Sequence, residues 1–198
     1  MSQQEDIISV LRGDNRLAKK MGMIHPQLAK PLFHLWNIAR WISYSSQNVG
    51  RSIDGIDYFL YNKRKVHLIS AGGRGWQDSI FNDEILGMYQ LEFCIELDED
   101  EKAFLRKKYP KLKDNQMTDL QTKLTHIRTG EMVPFYIMRY GFYEGHTEYR
   151  ADPIAISFIF GLRSLEEIEI AFRGNLNKSL TEHFTRENLS PDGGGYDE

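Results

Sequence analysis

The sequence predicts a mainly α-helical fold, one compact multi-helix domain with a small β-hairpin inserted near residues 57–69, and α+β as the fallback class. Three observations carry this expectation. Apolar residues recur three or four apart, most clearly Leu32, Leu35, Trp36, Ala39 and Ile42, which share one helical stripe. Helix-start signals recur as well: Asp152 before Pro153, and Ser164 three residues ahead of Glu167. Only around Asn62–Lys65 do short apolar or aromatic runs flank a polar turn, as in a hairpin.

Taken in order, 6–11 and 15–21 read as short helices separated near Gly13. Pro26 and Pro31 bracket the entry to a longer helix over 31–44, since proline is tolerated where its missing donor would be unpaired anyway. Segments 57–61 and 66–69 form the hairpin. Residues 70–76 are a loop, and Asp78 or Ser79 caps a helix running to about residue 96, with Phe81, Ile85, Met88, Tyr89 and Phe93 turned inward. The acids at 98–101 complement the positive end of the next helix, which Pro110 stops. Met117, Leu120, Leu124 and Ile127 repeat at helical spacing, with Gly130 as terminator. Residues 134–143 read as a short buried helix. Asp152 opens an apolar helix ending at Gly161, Ser164 opens another ending near Gly174, and a last one covers 178–184. The domain spans 1–187, and the Gly-, Pro- and acid-rich stretch 188–198 is a tail.

Composition narrows the function classes. The chain has 198 residues, of which 41% are hydrophobic and 27% charged, enough to bury a sizeable core. Its 25 Lys+Arg against 28 Asp+Glu give a net charge of −3, without the basic footprint of a protein that coats nucleic acid. One cysteine, Cys94, excludes an internal disulfide and any multi-cysteine zinc site. No secretory leader pattern and no apolar run of spanning length occurs, so the reading is a cytoplasmic protein with no membrane partner.

The segment unlike the rest is 139–152. Between two apolar stretches it gathers Arg139, Glu144, His146, Glu148, Arg150 and Asp152 among Tyr143 and Tyr149. His146 beside Glu144 can relay a proton as acid or base, so these two are the catalytic candidates. Arg139 and Arg150 can fork onto a phosphate or carboxylate, and Tyr143 and Asp152 complete a ligand-binding set. The plain alternative has Arg150 paired with Glu144 or Asp152, Asp152 capping its helix, and the tyrosines packed as core. A metal held by His146, Glu144 and Asp152 with Glu131 or His126 fits no ligand spacing, so neither metal nor cofactor is expected.

The expected function is therefore a binding protein for a small anionic, nucleotide-like ligand, or for a protein partner or a second copy, through 139–152. An acid–base hydrolase or transferase using His146 and Glu144 is the alternative, and a protein-binding inhibitor or immunity factor the third reading. Elsewhere, Lys63–Lys65 reads as a solvated turn and Gly72–Gly75 as a flexible connection. His25, His34, His67 and His183 stand isolated, Cys94 is an inert thiol, and Glu167 and Glu169 are ordinary exposed helix acids.

Overall fold

The computed structural model describes residues 6–45, 58–72, 78–83, 89–145, 147 and 149–182. Helix α1 (Ile7–Lys20) starts at Asp6, whose carboxylate accepts the Ile8 and Ser9 amides. It runs unbroken through Gly13, correcting the two short helices expected there. Val10, Asp14, Leu17 and Ala18 all lie buried along it, and their burial outweighs the roughly 1 kcal/mol that an interior glycine costs. Helix α2 (His25–Ser45) likewise begins earlier than expected and carries Pro31 inside rather than at its entry.

The class is mixed α/β. Among the described residues four strands, β1 (Phe59–Tyr61), β2 (Arg64–Gly72), β3 (Gln90–Cys94) and β4 (His126–Gly130), form one antiparallel sheet in the order β1-β2-β3-β4. The hairpin is where the sequence placed it, and Asn62 and Lys63 turn it with φ of 45° and 66°. Positive φ at both central residues matches the twist of the strands they join.

Two expected helices are corrected to strand. Residues 90–94 were read inside a helix from Phe81, Tyr89 and Phe93, yet Leu91, Phe93, Ile95 and Leu97 are buried at every second position. The stretch 84–88 of that expected helix lies outside the described residues. The helix expected to reach Gly130 stops at Thr125 as α4 (Asp114–Thr125), and the next five residues pair with β3, burying Ile127 and Thr129. Strand pairing gives the backbone of these short segments partners on β2 and β3 while one face packs on the core, which outweighs weak helical spacing.

The remaining helices are α3 (Glu99–Lys108), α5 (Val133–Tyr140), α6 (Pro153–Ile159), α7 (Leu165–Ala171) and α8 (Leu176–Glu182). All of α6 is buried, and it packs against α1, α2, α4, α7 and β4. A helix apolar on every side can only be central. No helix among the described residues is long and apolar enough to cross a membrane. Residues 188–198 lie outside the described residues.

Candidate functional site

The segment 139–152 leaves α5 at Gly141, which adopts φ +67° and caps the helix. A Cβ there would sit 2.6 Å from Nε2 of His25, so the position requires glycine for both its dihedral and its space. His25 Nδ1 in turn lies 2.9 Å from the Tyr143 hydroxyl, and one proton joins them. The Tyr143 amide donates to Asp14 Oδ2 at 3.3 Å.

Arg150 then enters the core beside the start of α6. Its Nη2 donates to Asp14 Oδ1 at 2.5 Å, its Nε to Asp152 Oδ2 at 3.2 Å, and its Nη1 to the Gly145 carbonyl at 3.1 Å. Asp152 spends its other oxygen on the Ile154 amide at 2.8 Å, capping α6. Arg150, Asp14 and Asp152 are 4%, 1% and 1% exposed. Burial pulls the guanidinium toward deprotonation, but Asp14 and Asp152 more than offset it and hold Arg150 above its ordinary pKa. Burial pushes the Asp14 carboxyl up, against the pull of Arg150. Tyr143 is raised well above the usual phenol value by burial and by the charge of Asp14.

Three of the expected ligand residues, Tyr143, Arg150 and Asp152, are thus brought together, but their hydrogen bonds run to α1, α2 and the start of α6. Arg139 turns elsewhere, donating to Asp83 at 3.2 Å beside the Tyr140 hydroxyl on the same carboxylate at 2.8 Å. The shared anion-binding hollow expected of Arg139 and Arg150 is not what these contacts form. A buried helix start needs its amides met by an acceptor: Asp152 accepts from Ile154, and Arg150 balances the buried charge of Asp152. Glu144 has φ +69° and is half-buried, and its burial raises the carboxyl above the usual range. His146 and Glu148 lie outside the described residues.

His25 makes the network sensitive to acid. Burial lowers its pKa from 6.5. Between that value and its lowered one, the unfolded chain holds a proton that the folded protein does not, so stability falls as pH drops through this window. Melting temperatures measured from pH 7.5 to 5 should decline more steeply in the wild type than in His25→Gln, and parallel profiles would show that His25 has no such role.

An open cleft lies elsewhere, a concavity of about 500 Å³ between the first turn of α3, the end of α6 and the start of α7. Arg64 is among the residues that line it. The hairpin turn is pinned there by Asn62 Nδ2 donating to the Phe160 carbonyl at 3.0 Å, and Gly161 passes so close that a Cβ would meet Arg64 Cγ at 3.1 Å. The Arg64 guanidinium lies 4.5 Å over the Phe158 ring and donates through Nη1 to Glu101 Oε1 at 2.5 Å. Its Nε and Nη2 are buried and have no hydrogen-bond partner among the described residues. These two atoms form one edge of the fork, the edge that meets a carboxylate or phosphate with two parallel bonds.

The walls carry acids. Asp98 and Glu101 satisfy each other's amides in a capping box at 2.8 and 3.1 Å, and Ser164 and Glu167 do the same for α7. Asp100 and Glu166 add exposed carboxylates, while Phe104, Leu162 and Leu165 supply apolar wall. The second cation, Arg163, is spent on the carbonyls of Met21, Gly22 and Leu162.

Comparison with protein-family models, with curated proteins and with solved structures finds no match. Function must therefore be argued from the site itself. Among the described residues no group of three His, Cys, Asp or Glu side chains is placed to hold a metal ion.

Sequence reasoning missed Asp14, His25 and Arg64. Asp14 did leave a signal, because it falls on the buried stripe of α1 with Val10 and Leu17, and an acid on an apolar stripe needs a cation. Arg64 shares the strand parity of Val66, which is buried, so alternation alone takes it off the solvated turn. His25 left none, since its partner lies 118 residues away.

Proposed function

We propose that this protein binds a small ligand through an anionic group, and that the ligand's seat is the cleft lined by Arg64. The observation that carries this is that Arg64 lines a cavity of about 500 Å³ and keeps Nε and Nη2 without a hydrogen-bond partner among the described residues. Small-molecule sites are concavities of roughly 300–1,000 Å³, and the volume of this cleft falls in that range. A buried donor left without an acceptor costs roughly 1–3 kcal/mol, so an oxyanion that fills the edge recovers that cost on binding.

This cleft differs from the 139–152 segment, where the sequence led to the expectation of a nucleotide-like ligand. Asp98, Asp100, Glu101, Glu166 and Glu167 line it together with Arg64, and a polyphosphate would meet these acids with strong repulsion. A monoanion suits the site.

A thermal-shift series with propionate, N-acetyl amino acids and phosphate monoesters, followed by calorimetric titration, tests the proposal. Monocarboxylates should raise the melting temperature of the wild type, and Arg64→Met, which keeps the apolar stem over Phe158, should weaken binding at least about tenfold. Equal shifts in both proteins, or none from any anion in the wild type, would overturn it.

A further inference from the structure

We infer that the basic end of α3, with the turn that follows it, docks a short acidic segment of a partner protein. This surface lies at the other end of α3 from the Arg64 cleft and is independent of the ligand proposed there. From Lys102 to Lys113 the chain carries Lys102, Arg106, Lys107, Lys108, Lys111 and Lys113 and no acid, in a protein whose net charge is −3. All but Lys102 are exposed. Among the described residues Arg106, Lys107, Lys108, Lys111 and Lys113 make no salt bridge. Lys108 rests over the Phe104 ring, and Arg106 acts on Glu99 only beyond salt-bridge reach. The negative end of α3 accounts for Arg106, Lys107 and Lys108, but Lys111 and Lys113 lie past it. Cations gathered this closely without counter-charges repel one another, and an anionic partner relieves that repulsion.

The turn is fixed from within. The Tyr109 amide donates to the Leu105 carbonyl at 2.9 Å and the Leu112 amide to the Tyr109 carbonyl at 3.1 Å, while the Tyr109 hydroxyl donates to Glu169. Leu112 packs against the core. The lysine stems therefore leave a backbone that needs little ordering when a partner arrives. The extent of the surface selects that partner. Acids flank it on both sides, Asp98, Glu99, Asp100 and Glu101 at the start of α3 and Asp114 and Asp119 on α4. A nucleic-acid strand or an anionic bilayer extends past the cations and meets those acids, whereas a short run of carboxylates reaches the cations alone. Tyr109 is half-buried with its hydroxyl engaged, so it offers no open platform for stacking a base. Apart from Arg106 the exposed cations are lysines, point charges that meet carboxylates without a fixed fork geometry.

Fluorescence anisotropy of a labelled decaglutamate peptide with the full chain tests this, with an oligothymidylate of equal length and phosphatidylserine vesicles as competitors. The peptide should bind the wild type and weaken at least about tenfold between about 20 and about 200 mM salt. Lys107→Glu combined with Lys111→Glu and Lys113→Glu should weaken binding at least about tenfold at the lower salt. Lys19→Glu combined with Lys30→Glu and Lys63→Glu, all exposed lysines elsewhere, changes the net charge equally and should leave the affinity within about twofold. Every one of these side chains is exposed, so both variants keep the core that folds the wild type. Equal losses in the two variants would trace binding to net charge and overturn the inference, as would the absence of binding by the wild type. Displacement of the peptide by oligothymidylate or by vesicles at a lower concentration of charge would assign the surface to phosphate instead and overturn the acidic segment.

Discussion

Arg150→Met is expected to destabilise the protein by about 3–5 kcal/mol, because it leaves Asp14 and Asp152 buried without their cation. Asp14 and Arg150 expose only 1% of their side chains, so solvent cannot take over the lost contacts. Asp152 keeps its bond to the Ile154 amide, but Asp14 retains only the Tyr143 amide. Urea denaturation measures the loss directly. Replacing Asp14 along with Arg150, as Asp14→Leu with Arg150→Met, should recover only the share due to Asp14, since Asp152 stays buried without its cation. A loss below about 1 kcal/mol in the single variant would mean that the guanidinium is not bound up in the core. It would then be available to a ligand, as the sequence suggested.

Tyr109→Phe should cost about 3 kcal/mol through a different carboxylate. Glu169 is 4% exposed, and its partner is the Tyr109 hydroxyl, which donates to Oε1 at 2.5 Å with Oε2 at 2.9 Å. Burial raises the Tyr109 pKa, and the adjacent Glu169 charge raises it further, so the phenol stays protonated and remains a donor throughout the ordinary pH range. Without that donor the buried carboxylate loses its hydrogen-bond partner. Urea denaturation at pH 7 checks this, and a loss below about 1 kcal/mol would show that the hydroxyl is not what satisfies Glu169.

Both residues show how sequence and fold divide the information. The Ser164–Glu167 capping box, the acidic start of α3, the proline-led start of α6 and the Asn62 hairpin were legible because each is settled by neighbours a few residues apart. Glu169 was read as an ordinary exposed helix acid, and only Tyr109, 60 residues earlier, makes it a buried one. β3 and β4 were hidden for the same reason. Each is five residues long, and α3 and α4 lie between them in the chain, so their pairing has no local signature.

The candidate site divides in the same way. The sequence marked 139–152 as chemically dense, and the chemistry there fastens the entry of a buried helix. Arg64 looked like one of three solvated lysines and arginines, until the hairpin folded over Phe158 and brought Glu101 alongside. By itself the chain determined the starts of α3, α6 and α7 and the hairpin turn, since capping, proline geometry and turn chemistry act over one or two turns. Which charges would meet was decided only in three dimensions, because the partner of a desolvated group is chosen by what the packed core places beside it.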